Sequence, residues 1–226
     1  MASLVQITTT GTLIGLGSAL GFVLATPKST VRRSPETRAL FREIRQLDIA
    51  ILGTASLQYG VAVTGVWNLE LERLRYLDWI ITTPLLLKTV HTLAQSVGYA
   101  GTFKTALVGA IVMVTAGYLA RFVDRTQRRL WWAVGMLALL VVLVEVYRWC
   151  EFLKARGVRL GALPWFFYVG WSLYGINFLN PDPASRSVLF NVLDFINKAV
   201  YSLVLQTVTR RTATVVARQQ QQQQLF

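Results

Sequence analysis

The sequence predicts an all-α membrane protein, a bundle of seven transmembrane helices making one domain over residues 1–212. Three observations predict it. The 226 residues are 54% hydrophobic and only 15% charged, too apolar for an ordinary soluble domain. Apolar stretches of spanning length recur between short polar breaks; a span takes roughly 20 residues, so about seven fit and no separate soluble module does. Finally, Asp78, Asp194 and Lys198 lie deep inside such stretches, where ionisable side chains are expensive and usually functional.

The first span covers about Gln6 to Thr26. It has neither a basic leader nor a clear small-residue cleavage site, and reads as a retained helix rather than a removed signal. A basic connector with Lys28, Arg32, Arg33 and Arg38 leads to the second span, which ends near Thr64. Its first half, Phe41 to Asp48, is too charged to face lipid and belongs at the interface or inside the bundle. The third span runs from about Arg75 to Leu93, the fourth from Phe103 to Ala120 and the fifth from Leu130 to Cys150. The sixth covers Leu163 to Leu179 and the seventh Val188 to Val208, parted by the turn Asn180-Pro181-Asp182-Pro183. Residues 213–226, with glutamines from Gln219 to Gln224, read as a disordered tail.

The formal charge is +12. In a membrane chain this reflects loop arginines and does not argue for nucleic acid as a partner. With the N-terminus outside, the cytoplasmic side collects the first connector, Lys88, Lys104, Arg148, Lys154, Arg156, Arg159, Arg210, Arg211 and Arg218. Arg121, Arg125, Arg128 and Arg129 are exceptions to this positive-inside bias. The single Cys150 rules out an internal disulfide framework.

Asp194 precedes Lys198 by four residues and shares its helix face. In the third span Arg75, Asp78 and Thr82 form one stripe, which must face the interior. Two carboxylates thus become available to one buried amine, with Arg75 offsetting their charge. A desolvated lysine amine is a good nucleophile and a common Schiff-base former. Trp79, Trp132, Trp171 and Tyr174 are placed to sandwich a long planar apolar ligand, with Thr83 beside them. Trp67, Trp149 and Trp165 read as packing or interfacial residues.

These residues resemble the microbial rhodopsins. The resemblance rests on Arg75-Tyr76-x-Asp78-Trp79-x-x-Thr82-x-Pro84, Arg129-x-Trp131-Trp132, Trp171-x-x-Tyr174 and Asp194-x-x-x-Lys198, and extends from the second span to the seventh. It implies the seven-helix rhodopsin fold and all-trans retinal on Lys198 as a protonated Schiff base. It further implies Asp78 as counterion and first proton acceptor, Asp194 as second counterion, Arg75 as outward gate and Thr82 beside Asp78. The implied partners are lipid and protons or small cations, with a homo-oligomer allowed; an enzyme and a resident metal are not implied.

Departures from the family pattern bear on function. Eleven residues beyond Asp78, where outward pumps carry a carboxylic donor, stands Thr89. Gly175 follows Tyr174 where many relatives have proline, and no second-span histidine can partner Asp78. The only histidine, His91, reads as a surface residue. Glu43, Asp48, Ser56 and Gln58, with Asn197, are candidates for a polar ion route. On that ground the first expectation is a light-gated cation channel. The alternative is an outward proton pump lacking a carboxylic donor at position 89, and the second alternative is a sensory photoreceptor.

Overall fold

The computed structural model describes residues 3–25, 34–65 and 70–223, without the Arg125 side chain. Seven helices follow in chain order: α1 (Leu4–Ala25), α2 (Pro35–Thr64), α3 (Leu71–Ser96), α4 (Lys104–Phe122), α5 (Arg125–Ala155), α6 (163–177) and α7 (Pro183–Gln223). Lys28, Arg32, Arg33 and Trp67 lie outside the described residues.

Local chemistry sets the helix starts. Pro35 and Pro183 occupy first-turn positions, where the missing N–H costs nothing. Ser34, Asp124 and Asp182 cap α2, α5 and α7 by accepting backbone N–H bonds from Thr37, from Thr126 and Gln127, and from Ser185. Gly65 closes α2 at φ 65°, in the left-handed region that glycine enters without strain.

Sequence neighbours α1 and α2, α2 and α3, and α4 and α5 pack against each other. Gly109 lets α4 approach Val142 of α5, and Gly135 of α5 sits against Ala116 and the Met113 carbonyl, the close contacts that small residues permit between membrane helices. Leu137, Leu140 and Val144 of α5, Ile14 of α1 and Leu203 of α7 face outward. The interior instead holds Asp48, Arg75, Asp78, Asn191, Asp194 and Lys198, the inverse of a soluble protein.

Five helices, α1, α2, α4, α5 and α7, are long and apolar enough to cross a membrane by length and composition. The other two are α3, which carries Glu72, Arg73, Arg75, Asp78 and Lys88, and the shorter α6. Two stretches of π-helix interrupt the α geometry, Phe166–Trp171 in α6 and Phe195–Val200 in α7. Such wide turns occur mostly at functional sites.

Two expectations change, and a third is resolved residue by residue. Segment 213–223, expected to be disordered, continues α7 as helix, because glutamine is a good helix former and no glycine or proline intervenes. His91 is buried at 2% exposure, not on the surface. Its Nε2 lies 3.1 Å from the Gly101 carbonyl, and Trp149, Phe103 and Tyr99 enclose the ring. The charged half of α2 divides: Arg42, Glu43 and Gln46 lie outside while Asp48 points inward.

Candidate functional site

The Phe195–Val200 turn brings Lys198 into the centre of the bundle, 2% exposed. Its Nζ donates to Asp78 Oδ2 of α3 in a short contact and to Asp194 Oδ1, one turn earlier in α7, at 3.3 Å. Both partners are buried, and two opposite charges offset the desolvation of the ammonium.

The two carboxylates are held unequally. Asp194 Oδ2 accepts the Tyr59 hydroxyl at 2.7 Å, while Oδ1 accepts the Tyr174 hydroxyl at 2.8 Å and Trp79 Nε1 at 3.0 Å. Asp78 Oδ1 has no hydrogen-bond partner among the described residues. Thr82 donates to the main-chain carbonyl of Asp78 at 3.0 Å.

Arg75, 1% exposed, lies on the α3 stripe but makes no ion pair with either carboxylate among the described residues. One Nη donates to Asn191 Oδ1 at 2.6 Å and to Ser187 Oγ at 2.9 Å, and the guanidinium lies 5.5 Å from the Phe190 ring centroid. Asn191 in turn donates to Thr8 and Thr9 of α1, so this end of the site reaches the first helix. At the opposite end, Thr89 donates to the Leu86 carbonyl and lies 2.6 Å from the Tyr201 hydroxyl.

Beside Lys198 opens a cavity lined by Trp79, Thr82, Thr83, Trp132, Trp171 and Tyr174, all anticipated from sequence. Trp132 Nε1 donates to the Gly175 carbonyl at 2.9 Å, fixing α5 to α6. Tyr76, Met113, Met136 and Phe190 also line the cavity; Tyr76 stood in the third-span motif without a role, and the other three were missed because apolar residues inside an apolar helix carry no mark. The cavity is thus a largely apolar slot ending at one amine, flanked by two carboxylates.

The family model described as bacteriorhodopsin-like protein matches residues 6–212. The chain belongs to that family. This rhodopsin is 28% identical over 148 residues to a green-light absorbing proteorhodopsin of a gamma-proteobacterium, covering 58% of each chain. It is 31% identical over 157 residues to the opsin-like protein carO of Fusarium fujikuroi, covering 63% of this chain and 49% of carO. The matched length is therefore under two thirds of either relative. Its fold matches the crystal structure of a light-driven proton pump from Leptosphaeria maculans at TM-score 0.75 and 20% identity, covering 94% and 98% of the two chains.

The rhodopsin is an integral multi-pass membrane protein that binds retinal through a Schiff-base lysine, and that lysine is Lys198. The residues fit the group: an apolar slot suits a polyene, and the paired carboxylates suit a nitrogen that keeps its positive charge after attachment. Among the described residues no group of His, Cys, Asp and Glu could hold a metal ion.

The residues proposed for an ion route in this rhodopsin do not come together. Glu43 is exposed, accepts from Thr92 at 2.9 Å and lies 3.8 Å from Lys88. Asp48 is buried against Ser202, and the Gln58 amide and Ser56 hydroxyl have no partners. Asn197 donates to the Leu193 carbonyl and packs on Gly170 of α6, where an added Cβ would lie 2.3 Å from its Oδ1. Sequence reasoning also missed Tyr59, Ser187 and Asn191. The last two lie seven and three residues before Asp194, a spacing that puts them on its face.

Proposed function

We propose that this rhodopsin is a light-driven outward proton pump in which Asp78 takes the proton from Lys198 Nζ. The observation that carries the reading is the unequal holding of the two carboxylates. Bound through Lys198, retinal supplies light absorption and an isomerisation that redirects the Nζ–H bond.

Asp194 is held as an anion by Tyr59, Tyr174 and Trp79, and protonating it would compromise bonds to three donors. Asp78 Oδ1 is free, so a proton added there breaks no protein hydrogen bond. Arg75 completes the balance: two cations and two anions share the buried centre. With the N-terminus outside, the Arg75 end faces outward, and Ser187, Asn191, Thr8 and Thr9 form a polar chain by which a proton can leave.

The channel reading needs a continuous route along α2, and Glu43, Asp48, Ser56 and Gln58 point to different surroundings. Two proteins of the same fold agree with pumping: one is a light-driven proton pump from Leptosphaeria maculans, another a proton pumping rhodopsin from Acetabularia acetabulum.

The test is illumination of retinal-supplied cells or vesicles. A pump acidifies the medium in light, a protonophore abolishes the change, and the photocurrent keeps one direction at every accessible voltage. A current that reverses with voltage and ionic gradient would establish the channel instead. Lys198→Ala should give no visible absorption band.

A further inference from the structure

A pump needs a group that returns a proton to Lys198 Nζ from the side away from Asp78, and Thr89 cannot be that group. Its hydroxyl donates to the Leu86 carbonyl, and it has no acidic proton to surrender. Two buried carboxyls among the described residues of the rhodopsin remain without a role in the site, Asp48 and Glu145, and Glu145 of α5 is paired with Arg148 at 2.7 Å. Asp48 of α2 is 2% exposed, and no cation pairs with it among the described residues. Ser202 donates to its Oδ2 at 2.6 Å, whereas Oδ1 has no hydrogen-bond partner among the described residues.

Ser202 follows Lys198 by four residues on α7, about 6 Å along a helix axis. Asp48 therefore lies beyond Lys198 on the side of Tyr201 and Thr89, opposite to Asn191 and Arg75. The side chains facing it from α7 are Ser202, Gln206 and the Tyr201 phenol. Thr89 of α3 stands behind Tyr201, and the described α1 has no ionisable side chain. Glu43 and Lys88 pair with each other nearer the helix ends. A carboxyl so enclosed, with no positive partner, is cheaper to keep as the neutral acid than as a bare anion. A proton on Oδ1 leaves the Ser202 bond intact.

We infer that Asp48 is the proton donor to Lys198 Nζ, carried by α2 in place of a carboxyl at position 89. The inference rests on the pump reading. In the step, the Asp48 O–H bond breaks, the N–H bond at Lys198 re-forms through the Ser202 side, and the carboxylate left behind takes a proton from the cytoplasm. The step is a pure proton transfer and requires no redox partner.

Two measurements test it. Infrared spectra of the retinal-free opsin at neutral pH should show a protonated carboxyl band that disappears in Asp48→Asn, a variant that keeps an oxygen to accept from Ser202. Identical spectra would overturn the inference. After a flash, the wild-type pigment should regain its visible band at a rate indifferent to external pH. Asp48→Asn should recover roughly a hundredfold more slowly at neutral pH, at a rate proportional to external proton concentration. Azide, a small permeant acid, should restore the rate, and so should Thr89→Asp added to Asp48→Asn. Recovery of Asp48→Asn at the wild-type rate overturns the inference alone. A wild-type pigment that moves no proton in light overturns the pump reading and the inference with it.

Discussion

The Tyr59 phenol of α2 donates to the Asp194 carboxylate of α7 across 2.7 Å of bundle interior. It is one of three hydrogen bonds that Asp194 accepts from Tyr59, Trp79 and Tyr174, and on the pump reading these ties keep Asp194 an anion while Asp78 changes. Tyr59→Phe removes the donor without opening much space. The pigment should form and keep its direction of transport, with stability lower by about 1–2 kcal/mol, measured by thermal bleaching. Tyr59→Phe with Tyr174→Phe removes two of the three outside donors. Asp194 should then compete with Asp78 for the proton, and light-driven acidification per pigment should fall below that of either single variant.

Asp78→Asn keeps the shape of the side chain but removes the charge and, on the pump reading, the proton acceptor. Acidification should drop about a hundredfold. The absorption band should move to longer wavelength, because less negative charge remains to hold the positive charge at the nitrogen in the ground state. A variant that pumps at the wild-type rate would remove Asp78 from the mechanism.

Gly175 is a matter of space. A Cβ there would lie 2.4 Å from Met136 Sδ, and Met136 lines the cavity. Gly175→Ala should cost about 1–3 kcal/mol by overpacking and reduce pigment yield with retinal. Met136→Ala in the same chain should recover much of the loss. Thermal bleaching of the two single variants and the double variant gives the coupling directly.

Helices α3, α4 and α7 meet at Glu72, which pairs with Arg121 and, at 3.1 Å, with Arg186. Arg186 is only 6% exposed and also donates to the Asn180 carbonyl. Glu72→Gln should destabilise the pigment by about 1–2 kcal/mol. Glu70→Gln is the control: its contact with Arg73 is long and solvent-exposed, and the change should leave the melting temperature unmoved.

What was legible in the sequence follows physical cost. Lys198, Asp194, Asp78 and Arg75 could be found because charge in an apolar stretch is expensive, and helical spacing placed them on facing stripes. The aromatic lining could be found because Trp79, Trp132, Trp171 and Tyr174 stand near the middle of their spans. Tyr59 and Asn191 were missed because neutral polar residues in a membrane helix are cheap enough to pass unnoticed, although both touch the centre. His91 was misplaced because its burial depends on Trp149 of α5, far away in sequence. The α2 candidates do not share one face because residues 43, 48, 56 and 58 turn by about 100° per residue and spread around the helix.

Helix α3, which carries Arg75, Asp78, Trp79 and Thr82, is one of the two helices that fall short of an independent membrane span by length and composition. The consequence is biosynthetic. A charged residue near the middle of a span costs about 2.5–3.5 kcal/mol on insertion, so α3 should not leave the translocation machinery for lipid by itself. It should be retained until α2 or α4 is available to shield it. The functional centre would then be assembled as a condition of membrane integration, and damage to α4 should strand α3 before any cofactor has arrived.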